Sequence, residues 1–193
     1  MESEPFYHRQ FRHLPTLQTA HLILRPVRRR DAEAMYAYAR DADVSRYVLW
    51  EPHRSIMDTR ETIGGIRRQY RHGWPSSFAI ALRDTDRMIG TIGYMWLNLE
   101  NHSAEIGYSL AKEHWNRGYM TEALTELIRY SFQTLRLHRL EAQHDIRNPA
   151  SGRVMQKAGM LYEGTLRDRL RSKGSYCTVA LYSIINTIQD QEN

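Results

Sequence analysis

The sequence predicts a mixed α/β domain in which one twisted central β-sheet carries helices on both faces. Three observations point there. Segments that alternate like strands outnumber segments with helical periodicity. Both hairpin turns and strand–helix–strand crossovers occur, which calls for a sheet of mixed direction. The chain has 193 residues, enough for one domain with a proper core but crowded for two.

In chain order, Thr19 to Val27 reads as a strand. Asp31 to Arg40 reads as a helix capped by Asp31, with Ala34, Met35 and Tyr38 on its apolar face. Residues 44–50 read as irregular. A helix from about Met57 to Tyr70 is expected to be interrupted or bent at Gly64-Gly65. Phe78 to Leu82 and Met88 to Leu97 form a hairpin around the polar turn Arg83 to Arg87.

A strand at 104–110, a helix at 118–134, a strand at 138–146 and a helix at 149–158 then make a β-α-β-α unit. The first of these helices places Met120, Ala123, Leu124, Leu127, Ile128 and Leu135 inward, with Glu122, Glu126 and Arg129 outward. Asn148 serves as N-cap of the second, Pro149 as its first residue and Gly159 as its stop. A last hairpin spans 161–171 and 175–185 and turns at Ser172-Lys173-Gly174. The expected organisation is an N-terminal extension at 1–18, loose around Tyr7 and Phe11, a domain at 19–185 and a tail at 186–193.

Composition narrows the class. Hydrophobic residues are 41% and charged residues 25%, the ordinary globular range rather than a disordered one. No apolar run is long enough to span a membrane, and Met1 to His13 lacks the apolar stretch of a secretory signal. The single Cys177 has no partner for an internal disulfide, so a cytoplasmic location is expected. A net charge of +5 favours an acidic partner such as a phosphorylated coenzyme, a nucleic acid or the ribosome surface. No zinc-finger, RNP or basic-zipper pattern is present, which argues against a nucleic-acid reader. The Arg28-Arg29-Arg30 run reads as a solvated turn. His138 and His144 share a strand face, but no metal-ligand spacing surrounds them and no metal site is expected.

The stretch with most chemistry is Trp115 to Ala123, a glycine-bearing loop that opens into a long amphipathic helix. Strand, loop and helix in that order leave backbone N–H groups free at a helix N-terminus, where an anion docks. Gly118 permits close approach of a phosphate, and Arg117 adds charge. Neither G-x-x-x-x-G-K-[ST] nor G-x-G-x-x-G is present, so the usual nucleotide fingerprints are excluded.

Six motifs in register resemble the GNAT acetyltransferases, and within them the ribosomal-protein N-terminal alanine acetyltransferase branch. They are His21-Leu22-Ile23-Leu24-Arg25-Pro26, Ile89 to Tyr94, Ala104 to Tyr108, Trp115 to Ala123, Asn148 to Gly159 and Glu163 to Arg167. The likeness runs from about residue 19 to 185. The chain departs from the superfamily's usual R/Q-x-x-G-x-G/A loop, with Trp115 at its first position and Met120 at its last. It also has Asn116 where the branch commonly has Gly, and Thr178 near where the branch often has an Asp.

The resemblance implies acetyl transfer from acetyl-CoA to an amine by direct attack in a ternary complex, with no acyl-enzyme. It implies that Tyr108, Ser109 and Leu110 pair with the pantetheine arm like an added strand. Asn116, Arg117, Gly118, Tyr119, Met120 and Thr121 would cradle the pyrophosphate. Asn148 would contact the arm, Ser151 would donate a proton near the sulfur, and Lys157 would reach a phosphate. Glu105 is the expected base, acting through a water at the acceptor side, with Tyr108 as the alternative for either proton step. Trp50 would line the acceptor groove.

Each residue also has a structural alternative. Glu105 would pair with an Arg, and Asn148 would be a plain cap. Ser151 would satisfy nearby N–H groups, Lys157 would face a helix dipole, and Trp50 would pack in the core. The acceptor expected is a protein or peptide α-amine. Near pH 7 an amine of pKa about 7.8 is roughly one-seventh neutral, whereas a lysine near 10.4 is neutral in about one part in 2,500. The alternatives are a small amine such as a polyamine or antibiotic, a non-catalytic acyl-CoA-binding regulator and, more remotely, an RNA-associated module. A homodimer stays open.

Overall fold

The computed structural model describes residues 5–187. Eight strands form one sheet: β1 (Leu17–Gln18), β2 (Leu22–Pro26), β3 (Ser77–Leu82), β4 (Met88–Asn98), β5 (Ser103–Leu110), β6 (Arg139–Asp145), β7 (Leu161–Ser172) and β8 (Ser175–Ile185). Six α-helices accompany them: α1 (Phe6–Arg12), α2 (Ala32–Ala39), α3 (Ala42–Ser45), α4 (Ile56–His72), α5 (Tyr119–Gln133) and α6 (Pro149–Lys157). The strand order is β1-β2-β3-β4-β5-β6-β8-β7. Only β5 and β6 are parallel neighbours, joined by the α5 crossover; the other pairs are antiparallel. No helix among the described residues is long and apolar enough to cross a membrane.

Apolar side chains gather on both faces of the sheet, as a mixed sheet with two helical layers requires. One cluster packs Leu124, Leu127, Ile128 and Met155 of α5 and α6 against Leu24, Ile80, Ile92, Ile106 and Leu140. The other packs Met35, Tyr38 and Ala39 of α2 and Ile63 of α4 against Val27, Ala79, Met88 and Ala111. The helical periodicity of α5 is thus real, with Met120, Ala123, Leu124, Leu127 and Ile128 buried; Leu135, also buried, lies just past its end.

Several local expectations change. The helix over Gly64-Gly65 is continuous for 17 residues. Ser55 and Asp58 form a reciprocal capping box at its start, Gly73 closes its end in the left-handed conformation, and the two glycines sit within it unbroken. Residues 42–45, part of them expected to be irregular, form α3 with Asp41 as its cap.

Asp31 does not cap α2 with its side chain. Its carboxylate instead takes two 2.8 Å bonds from the buried guanidinium of Arg25 and one from the Arg28 N–H. Arg25 also reaches Asp86, in the β3–β4 turn, at 2.5 Å. Arg28 and Arg30 pair with the same Asp86, so the expected solvated turn is two-thirds an ion-pair network. Of the segment read as a loose extension, residues 1–4 lie outside the described residues, Phe6–Arg12 forms α1, and Phe11 is buried edge-on against Tyr94. Of the expected tail, residues 188–193 lie outside the described residues; Asn186 is buried and bonds the Leu137 carbonyl.

Candidate active site

The site begins where the sheet opens. β5 and β6 pair only at Ser103–Arg139, Ala104–Leu140 and Glu105–Glu141. Beyond Glu105 the two strands part, so the β6-facing edge of β5 from Ile106 to Leu110 has no strand partner. Unpaired edge N–H and C=O groups accept an added strand. That is the geometry required of Tyr108, Ser109 and Leu110 if they hold an extended pantetheine arm, except that the Leu110 carbonyl already accepts from Trp115 Nε1 at 2.8 Å. β5 stays fixed on its other side by its ladder to β4.

Strand alternation divides the residues of β5 between the two faces. Ile106, Tyr108 and Leu110 face α5 and α6, while Glu105, Gly107 and Ser109 face the α2–α4 layer. The gap between the strands joins the two faces. Chemistry from opposite sides of the sheet can therefore meet there.

On the α6 side, the Tyr108 hydroxyl lies 2.9 Å from Ser151 Oγ and donates at 3.2 Å to the Ser151 carbonyl. Burial raises the Tyr108 pKa, and the Ser151 hydrogen bond offsets only part of that rise. Tyr108 therefore keeps its proton through the neutral range. The close seating of α6 on β6 makes the pair possible. A Cβ at Gly152 would lie 2.6 Å from His144 Nε2, so any larger residue would have to displace that ring where α6 seats on β6.

On the opposite face, the Glu105 carboxylate accepts from Trp96 Nε1 at 2.7 Å and from Gln143 Nε2 at 2.9 Å. Both donors are neutral, and the expected arginine partner is not what holds it. A register shift in β4 between Tyr94 and Trp96 places Trp96 opposite Glu105, as bulges beside active sites commonly re-aim a side chain. Trp96 and Gln143 were missed in the sequence. Their only signal was alternation, which fixes a face but not a partner across a bulge.

The loop into α5 is exposed. Asn116 and Gly118 have φ of +59° and +81°, and no heavy atom lies within 4 Å of a Cβ built on Gly118. Gly118 holds the N-cap position without any side-chain cap, so the first N–H groups of Tyr119, Met120 and Thr121 face outward from the helix end. A cleft of about 520 Å³ opens there, lined by Gly118, Thr121, Glu122 and Lys157 among others. Lys157, at the far end of α6, thus shares a space with the α5 N-terminus. Glu122 is not free in solvent as expected: it takes bonds from the Thr19 hydroxyl at 2.5 Å, the His21 N–H at 2.8 Å and His21 Nδ1 at 2.9 Å. These tie the helix start to the chain leading into β2 while the acid still lines the cleft.

Asn148 sits at the N-cap position of α6, yet its side chain makes no capping bond. Only its backbone is engaged, with Asp145 and Ser151. Trp50 is half-buried against the α2–α4 cluster, its ring 5.7 Å from that of His53. The loop around it is pinned by the β7–β8 turn, where Lys173 Nζ donates to the Ser45 carbonyl at 2.5 Å. Arg147 stacks over Tyr47 at 5.8 Å, a contact that the sequence did not show.

Taken together, an unpaired strand edge, the uncapped start of α5 and Lys157 in the cleft beside it fit a long thioester with a pyrophosphate. Residues 21–161 match the family model described as an acetyltransferase (GNAT) domain. The chain belongs to the GNAT acetyltransferase family. Its acetyltransferase relatives include the uncharacterized N-acetyltransferase p20 of Bacillus licheniformis, 34% identical over 172 residues, covering 89% of this chain and 97% of that one. The ribosomal-protein-serine acetyltransferase of Escherichia coli is 32% identical, with 68% and 73% covered. Among solved structures, a GNAT-family acetyltransferase from Bacillus anthracis superposes with a TM-score of 0.79 at 27% identity, covering 89% of this chain and 99% of that one. Like other GNAT enzymes, this protein is an acetyl-CoA-dependent N-acetyltransferase.

Proposed function

We propose that this GNAT enzyme acetylates the α-amino terminus of a protein or peptide. The observation that carries the proposal is the division of Glu105 and Tyr108 between the two faces of the β5–β6 gap. The coenzyme supplies the activated acetyl group. Glu105, held by neutral donors on one face, takes the proton of the attacking amine through a water. On the other face the Tyr108–Ser151 pair gives a proton to the departing thiolate, and Tyr108 is the donor that burial keeps protonated. Tyr108 to Leu110 hold the arm, Asn148 contacts it, and Asn116 to Thr121 with Lys157 hold the phosphates.

A single carboxylate acting through water is a mild base. It suits an amine with pKa about 7.8 better than a lysine near 10.4. The E. coli relative's name, a ribosomal-protein-serine acetyltransferase, supports a protein acceptor. In this reading Trp50 lines the acceptor groove.

The test is release of coenzyme A thiol against a panel of amines. Peptides with free Ala, Ser, Met or Thr N-termini should release thiol, while lysine peptides with blocked N-termini should not. Release with polyamines or aminoglycosides alone would move the acceptor to small amines. Tight acetyl-CoA binding with silence across the panel would point to a regulatory binder.

A further inference from the structure

A second cavity, among the described residues, lies outside the acetyl-transfer site. It is a half-open cleft of about 790 Å³ between α1, α4 and the short 3-10 turn at residues 29–31. Arg12, Arg29, Arg60, Arg67 and Arg71 line it with Ile63, Gly64 and Tyr70, and no Asp or Glu is among these lining residues. We propose that this cleft binds a condensed phosphate chain, free or carried by a nucleotide.

The arrangement follows from helix geometry. Arg60, Gly64, Arg67 and Arg71 recur at spacings of four, three and four, which puts them in one stripe along α4. Gly64 leaves the middle of that stripe bare, with no heavy atom within 4 Å of a Cβ built there. Arg29 enters from the neighbouring turn. Its sequence neighbours Arg28 and Arg30 turn the other way, onto Asp86.

Among the described residues, Arg29, Arg60, Arg67 and Arg71 have no carboxylate partner. Arg60 meets only the Met57 sulfur at 3.8 Å, and Arg67 the Val27 carbonyl at 3.4 Å. Four unneutralised guanidiniums in one cleft repel one another. An anion with several adjacent oxyanion groups relieves that repulsion, and guanidinium forks match phosphate oxygens in pairs.

The shape of the cleft selects a compact ligand. Its volume is that of a small-molecule pocket. Its walls are helices whose backbone groups are already bonded, so a peptide finds no main-chain partners. Ile63 and the ring of Tyr70 add an apolar wall for the rest of a nucleotide. The cleft is also separate from the coenzyme site. Tyr70 and Arg67 bond Val27, just past the end of β2, whereas His21, just before its start, bonds Glu122 at the entry to α5. Five strand residues, about 17 Å, lie between the two ends.

Calorimetric titration of the full chain with tripolyphosphate, ATP and AMP, in saturating coenzyme A, tests the proposal. A glutamate peptide and a short single-stranded RNA serve as comparators. Tripolyphosphate and ATP should bind at one site at least about tenfold more tightly than AMP, weaken at high salt and raise the melting temperature. ATP binding more tightly than tripolyphosphate would assign the apolar wall to the base; equal affinities would assign recognition to the phosphates alone. R67A/R71A and Gly64→Glu, whose side chain enters open space, should each lose at least about tenfold in affinity while acetyl transfer is kept. Unchanged affinity in both variants would overturn the proposal. So would displacement by coenzyme A, or tighter binding of the peptide or the RNA.

Discussion

Two helix entrances flank the gap between β5 and β6, and they are built in opposite ways. The entrance to α5 is exposed and works through its backbone, with Asn116 and Gly118 at positive φ and no side chain capping the helix. The entrance to α6 works through side chains, with Ser151 joined to Tyr108 and Gly152 seated against His144. Anion binding needs only N–H groups aimed at one place, so many side chains are compatible with it. Proton transfer needs a particular atom at a particular distance. This accounts for a loop in which Trp115 and Met120 depart from the superfamily's pattern and Asn116 from the branch's, while the start of α5 stays uncapped.

The contrast is broken most directly at Tyr108. Tyr108→Phe should lower kcat about 10²-fold with little change in the KM for acetyl-CoA, the split expected when a proton donor is lost and binding is kept. A pure KM effect would place Tyr108 with the binding residues. The same group sets a pH signature. Because burial raises the phenol pKa above its ordinary value near 10, the donor stays protonated up to and beyond pH ~10. The kcat profile should therefore have no alkaline limb below about pH 10, and a limb near pH 8 would exclude Tyr108 as the donor.

Gly118→Ala tests the other entrance. The new Cβ meets no neighbour, but φ of +81° costs an L residue about 1–2 kcal/mol, so the loop should relax out of its conformation. Acetyl-CoA affinity should fall about tenfold while kcat at saturation holds. Equal loss in kcat would mean that the two entrances are not separable. Asn148→Ala should weaken acetyl-CoA by about fivefold, the worth of one hydrogen bond. The melting temperature should stay within about 1 °C, because the side chain makes no capping bond; a large drop would restore the capping role. The smallest effect is expected of Asn116→Gly, which relieves a positive φ of +59° and should raise stability by about 0.5 kcal/mol or less with activity retained.

The order and type of the elements were legible in the sequence because hydrophobic period and turn chemistry are local properties. The α5 stripe, the Ser172–Gly174 turn and the Pro149 and Gly159 boundaries of α6 are each set within a few residues. Gly64-Gly65 misled because their low helix propensity was outweighed by a capping box at one end of α4 and a left-handed glycine at the other. The exposed loop at 115–118 was legible for the same local reason.

What the sequence determined by itself is therefore the mixed α/β class and the six motifs from which the candidate site residues are named. Tertiary structure alone decided who meets whom. Ser151 comes to Tyr108 across 43 residues, and Trp96 and Gln143, rather than an arginine, come to Glu105. Arg25 is taken into a buried pair with Asp31 and Asp86, while the α4 arginines are left facing open space. The physical reason is that backbone propensity acts over a turn or two. The partner of a charge or a hydroxyl depends on strand register, a bulge and the seating of a helix, and those are settled only when the whole sheet is packed.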